Sequence, residues 1–146
     1  MHVFSGSAFQ DTKDQEWTSD SKLEPMDLNK LDARKFIVYK FGCFVTELVA
    51  SHCQHAPVTL LLAEKIPPND RLRNNAYRNS FYFDANNSIL YLRAARLETV
   101  GEFVVVLVHT LAHIKSGMYI CLLLKFFEII KKTLYILNKT LQFHNT

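Results

Sequence analysis

Ser80-Phe81-Tyr82-Phe83-Asp84 and Ile89-Leu90-Tyr91-Leu92-Arg93, separated by Ala85-Asn86-Asn87-Ser88, decide how this chain is read. Aromatic and branched residues fill both arms, and an Asn-rich turn joins them. That combination predicts a β-hairpin. Upstream, Val58-Thr59-Leu60-Leu61-Leu62-Ala63 is a short apolar run closed by Pro67-Pro68-Asn69-Asp70, as expected of a buried strand followed by a turn. Arg71 to Asn79 is polar and basic and is expected to form an exposed loop or irregular edge.

Helices are expected on either side of these strands. From Lys30 to about Cys53, apolar residues recur at helical spacing (Phe36, Ile37, Tyr39, Phe41, Phe44, Val45, Leu48, Val49), with Asp27 or Asn29 available as N-cap. Gly42 is a mild internal cost, and the helix is expected to stop before Pro57. Downstream, Thr99 and Glu102 are spaced as a capping box, and Phe103 to Ile114 is apolar almost all round, which predicts a buried helix. The fold class that follows is α+β: helix, strand, β-hairpin and buried helix, with an added C-terminal helix.

Three segments are expected. Residues 1–26 are polar, offer little to bury, and read as a disordered N-terminal segment. Residues 27–116 form the domain. Residues 117–146 change character: Ile, Leu, Phe, Tyr, Lys and Asn dominate, and Ala, Val, Arg, Asp, Ser and Pro are absent. Two readings of this hydrophobic-basic tail stay open, an ordinary C-terminal helix and an isoform-specific translation of non-coding sequence. Lys125, Glu128, Lys131 and Lys132 interrupt its apolar run, which weighs against a membrane span, although contact through residues 103–137 remains a third reading of the whole chain.

Composition excludes several classes. A chain of 146 residues suffices for one core, and a net charge of +3 is too small to argue for nucleic acid. Cys43, Cys53 and Cys121 make neither a CxxC pair nor a disulfide framework. No basic region followed by an apolar run opens the chain, so a reducing, intracellular and cytoplasmic setting is expected.

One motif carries chemistry: Val108-His109-Thr110-Leu111-Ala112-His113-Ile114. On a helix, residues four apart share a face, so His109 and His113 stand where two imidazoles can hold one metal ion. Residues 33–116 resemble the gluzincin branch of zinc metallopeptidases, especially HtpX-type peptidases. The likeness rests on the helix, the strand at Val58–Ala63, Asn75-Ala76-Tyr77 (similar to that family's Asn-Ala-Phe edge segment), the strand at Ser88–Leu92 and the histidine helix. In the family the motif reads like Val-His-Glu-Leu-Ala-His-Ile, so only Thr110 departs from it. The resemblance implies that His109 and His113 are zinc ligands. It also implies a third ligand, a Glu from a later helix, for which Glu128 is the only downstream carboxylate side chain.

Thr110 stands where the family has its general base. A hydroxyl with a pKa far above neutral cannot do that work, which argues against peptidase activity. The expectation is a degenerate zincin core serving as an interaction or scaffold module, a short form or fragment of a larger protein, with a protein or peptide partner. The alternative is a zinc peptidase using another carboxylate, such as Glu102 or Glu128. No cofactor is required by the first reading; zinc is the ion the pair would take.

Three further groups stand outside this motif. Glu102, seven residues before His109, reads as a partner of the histidines or as a helix N-terminal carboxylate. His52-Cys53-Gln54-His55 points in several directions on a helix and reads as a frayed terminus. Arg71, Arg73, Arg78, Arg93 and Arg96 read as a solvated loop or as a patch for an acidic segment.

Overall fold

The computed structural model describes residues 11–17, 22–54, 56–68, 77–114, 130, 132–133, 135–140 and 142. Among them, two long helices pack against a four-stranded mixed sheet, an α+β fold. The elements are α1 (Thr12–Glu16), β1 (Glu24–Pro25), α2 (Ala33–Cys53), β2 (Thr59–Lys65), β3 (Phe81–Asp84), β4 (Ile89–Arg93) and α3 (Val100–Ile114).

The hairpin forms where its alternating arms predict it. β3 and β4 pair antiparallel, from Phe81 opposite Leu92 to Asp84 opposite Ile89. The Asp84 carboxylate organises the turn, accepting from the backbone N–H groups of Asn86 (3.1 Å) and Asn87 (3.3 Å) and from the Asn87 side-chain amide (2.8 Å). Ser88 closes the turn in the left-handed region, at φ 53°. β2 lies parallel to β4, Thr59 opposite Ile89 through Ala63 opposite Arg93, so the sheet order is β1-β2-β4-β3.

Strand alternation then sets the core. Leu60, Leu62, Leu90, Leu92 and Phe81 are buried and pack with Val38, Val45 and Val49 of α2 and Phe103, Leu107 and Leu111 of α3. The Tyr39 hydroxyl donates to the Leu60 carbonyl at 2.9 Å, which ties α2 to the central strand.

Several boundaries differ from the sequence expectation. Helix α2 starts at Ala33, not near Lys30. Asp32 is its N-cap and accepts from the Lys35 N–H at 2.8 Å, whereas Asp27 caps a separate 3-10 turn, Leu28–Lys30. Two Asp residues five apart each start a helix, and the first helix is only one turn long. The strand begins at Thr59 and runs two residues past Ala63.

The disordered lead-in expected over residues 1–26 needs correcting for residues 11–17 and 22–26; residues 1–10 and 18–21 lie outside the described ones. Asp11 caps α1, and β1 pairs antiparallel with β2, where the Met26 N–H donates to the Leu62 carbonyl at 3.0 Å. Pro25 fits because β1 is an edge strand and needs no donor on its outer side.

The apolar pattern of α2 is not all buried. Ile37 is 68 % exposed and Phe44 55 %, and both lie on a face that no described element covers completely. An apolar cavity of about 380 Å³ lies between α2 and the start of α3, lined by Phe41, Phe44, Leu48, Val49, Val104 and Ile130. Among the described residues, α2 is the one helix long and apolar enough to cross a bilayer, but about half of it is buried inside the domain. The described residues of the tail are helical, and Tyr135, Ile136 and Leu137 are exposed.

Candidate functional site

His109 and His113 lie one turn apart on α3, as their spacing requires. Their ring centroids are 4.6 Å apart at 56°. His113 is exposed and His109 half-buried. The ring of Tyr77, in the turn that leads into β3, stands edge-on to His109 at 5.0 Å. Burial first, and then the charge of His113, push the His109 pKa down to about 4, so this imidazole is neutral at physiological pH.

Thr110 faces the other way. It is fully buried, and its hydroxyl donates to the Leu107 carbonyl at 2.8 Å. The position occupied by a general base in the resembled family is here part of the core, on a side chain with no carboxylate.

A tetrahedral zinc site needs three protein ligands if it is to keep one position open, or four if it is closed. A neutral His109 beside His113 supplies two. Among the described residues no group of three His, Cys, Asp or Glu side chains is placed to hold a metal ion. Glu128, the expected third ligand, lies outside the described residues. The described residues alone therefore do not complete a zinc site.

Glu102 does not serve the histidines. Its carboxylate accepts from Arg96 Nη1 at 2.6 Å and Lys13 Nζ at 3.1 Å. Burial raises its pKa, but these two cations outweigh the burial and hold it below the usual glutamate range. The Thr99 hydroxyl accepts from the Glu102 N–H at 3.3 Å, half of the expected capping box. His52 is exposed and Cys53 buried, and His55 lies outside the described residues.

The arginines depart furthest from expectation. Arg71 and Arg73 lie outside the described residues, and Arg78 is half-buried. Arg93 and Arg96, read as solvated or as an exposed patch, are instead buried, Arg96 completely. Arg96 meets Asp11 at 3.1 Å, Glu102 at 2.6 Å and Asp14 at 3.7 Å, and its Nε donates to Ser80 Oγ at 3.0 Å. The rings of Trp17 (5.1 Å) and Tyr77 (5.4 Å) flank its guanidinium. A guanidinium this enclosed is tolerable only because carboxylates balance its charge and a hydroxyl accepts from Nε, while its buried Nη2 makes ion pairs without a hydrogen bond. Tyr77 thus touches both centres, the arginine cluster and the histidine pair. The only sequence signal for this cluster was the Asp11-x-x-Asp14-x-x-Trp17 spacing in a segment that otherwise reads as polar filler.

Fold and site define an α+β domain with a paired-histidine helix beside a buried arginine cluster. No protein-family model, curated protein or solved structure matches this chain.

Proposed function

We propose that this chain is a non-catalytic, zincin-like domain that binds an extended segment of a partner protein along β3. The observation that carries the proposal is the position of β3. Among the described residues it is hydrogen-bonded on one side only, to β4, and stands at the end of the sheet order. Such an edge is a template for an added strand, in which backbone hydrogen bonds supply affinity and alternate side chains supply specificity. Tyr82, Phe83 and Asp84 are all partly exposed. A strand added there would also run towards Tyr77, four residues before Phe81, and so towards the histidine face it touches.

Binding without cleavage is favoured over hydrolysis. Thr110 supplies no base, and Glu102 is held by Arg96 and Lys13. The histidine pair then acts as a half-buried polar ledge beside the bound segment. The test is amide hydrogen exchange on the full chain with a library of extended peptides, alongside mass analysis of those peptides. Slower exchange at Tyr82–Asp84 with intact peptides supports the proposal. Cleaved peptides, or protection that never includes β3, overturn it.

A further inference from the structure

The arginine cluster is built like a binding site, and what fills it is a piece of this chain. The walls come from the turn at Tyr77–Ser80, the end of β4, the 3-10 turn Ala94–Glu98 and the first turn of α3. The filler is residues 11–17. The Asp14 carboxylate, 2 % exposed, accepts from the Asn79 N–H at 2.8 Å and the Ser80 hydroxyl at 2.5 Å. The Asp14 carbonyl accepts from the Asn79 side-chain amide at 3.0 Å. The Asp11 carboxylate meets the Arg96 guanidinium, and the Trp17 ring lies 4.5 Å from the guanidinium of Arg93 and 5.1 Å from that of Arg96. Two carboxylates and one aromatic ring, three residues apart each, meet adjoining subsites that share Arg96.

Charge and local stability both mark the segment as a ligand. Residues 11–17 carry three carboxylates against one lysine, and the charged side chains that meet them are the guanidinium groups of Arg93 and Arg96 and, through Lys13, the carboxylate of Glu102. Helix α1 has only five residues, and a helix that short does not hold itself together in water, so its order comes from docking.

We propose that this pocket recognises acidic segments of the pattern Asp-x-x-Asp-x-x-aromatic, and that residues 11–17 occupy it as a displaceable internal ligand. A partner segment of the same chemistry exchanges with them. The proposal does not depend on strand addition at β3, although Tyr77 borders both sites.

Trp17 is the only tryptophan in the chain, so its fluorescence reports the pocket directly. The probe is a synthetic peptide of residues 9–20 carrying Trp17→Phe, with an otherwise identical peptide carrying Asp11→Asn and Asp14→Asn as control. Added to the full chain, the first peptide is expected to shift Trp17 emission to the red and raise its quenching by iodide, while the control does neither. A tethered segment competes at an effective concentration of about millimolar, so half-displacement is expected at roughly that level. A full chain carrying Asp11→Asn and Asp14→Asn is expected to bind the labelled peptide at least ~10-fold more tightly than the unaltered chain, since its own segment no longer competes. Should that variant fail to fold by circular dichroism, Trp17→Ala in the full chain weakens only the aromatic subsite and is expected to give the same direction of change. Unchanged Trp17 emission at several millimolar peptide, together with no gain in affinity in whichever variant folds, overturns the proposal and leaves residues 11–17 as a fixed part of the fold.

Discussion

The ring of Tyr77 stands edge-on to His109, with centroids 5.0 Å apart and planes at 79°. The same ring lies 5.4 Å from the Arg96 guanidinium. One aromatic side chain in the turn before β3 therefore separates a buried cation from a half-buried imidazole. The imidazole is kept neutral by its own burial and by His113 beside it.

The pH dependence of stability follows from that. His109 titrates at about 4 in the folded chain, against about 6.5 when unfolded, because burial and then His113 oppose its charge. A folded pKa below the unfolded one means that protons favour the unfolded chain. Stability is full above pH 6.5 and declines as pH falls from 6.5 towards 4. Between pH 7 and 5 the loss due to His109 is expected to be at most on the order of 2 kcal/mol, because solvent screens a half-exposed ring and the raised Asp14 carboxyl works in the opposite direction. Urea unfolding at both pH values measures it, and His109→Phe is expected to remove most of the difference.

Arg96 is expected to contribute strongly to the stability of the chain with residues 11–17 docked. Replacement by Met keeps the volume and removes the charge that Asp11, Asp14 and Glu102 share. Burial already raises the Asp14 pKa against the hydrogen bonds of Ser80 and Asn79 and the charge of Arg96. Without the guanidinium, that carboxylate is left buried with no cation beside it. Breaking a buried pair in this way costs about 3–5 kcal/mol. Arg96→Met should lower the urea midpoint accordingly and shift Trp17 emission to the red; an unchanged midpoint would mean that the cluster contributes nothing to stability.

The sheet and both long helices were legible because their signals are local. Phe81 to Arg93 carries its strands and its turn within thirteen residues, and Phe103 to Ile114 is apolar at nearly every position. The arginine cluster was not legible, because Asp11 and Arg96 are 85 residues apart and each alone looks like an ordinary surface charge. β1 escaped for a different reason. Two residues cannot show an alternation, and Pro25 argues against a strand anywhere but an edge. The candidate histidine pair was legible in full as a spacing, whereas the core-facing direction of Thr110 depends on which side of α3 meets the sheet.

Thr110→Glu, which writes the resembled family's motif back into the chain, is expected to harm the fold without restoring chemistry. Thr110 is fully enclosed, and its hydroxyl is satisfied by the Leu107 carbonyl. A carboxylate at that position loses its water and gains no cation in exchange, a penalty of several kcal/mol. The variant should unfold at lower urea at pH 7 and recover part of the loss near pH 5, as the carboxyl takes up a proton. Hydrolysis of a quenched peptide library should stay at background, and turnover above background would show that the site needs only this one group.

Gly42 sets how closely α2 approaches the rest of the core. Helix propensity alone says that Gly42→Ala should stabilise the chain by about 1 kcal/mol. Contact says the opposite. A Cβ built at this position collides with Cε1 of Phe103 and comes within 3.0 Å of Phe103 Cζ and 3.1 Å of Leu60 Cδ2. Phe103 has no exposed surface, so its ring cannot swing out to make room. Forcing extra volume into a packed core costs about 1–3 kcal/mol, so a net loss of about 1 kcal/mol is expected after the propensity gain. The pairing of Gly42→Ala with Phe103→Leu separates the two effects, because leucine lacks the ring atoms that the new methyl meets. Urea unfolding of both single variants and the double variant should show the two substitutions compensating by at least about 1 kcal/mol relative to their sum. Strict additivity would place the close approach elsewhere and leave Gly42 as an ordinary weak position in a helix.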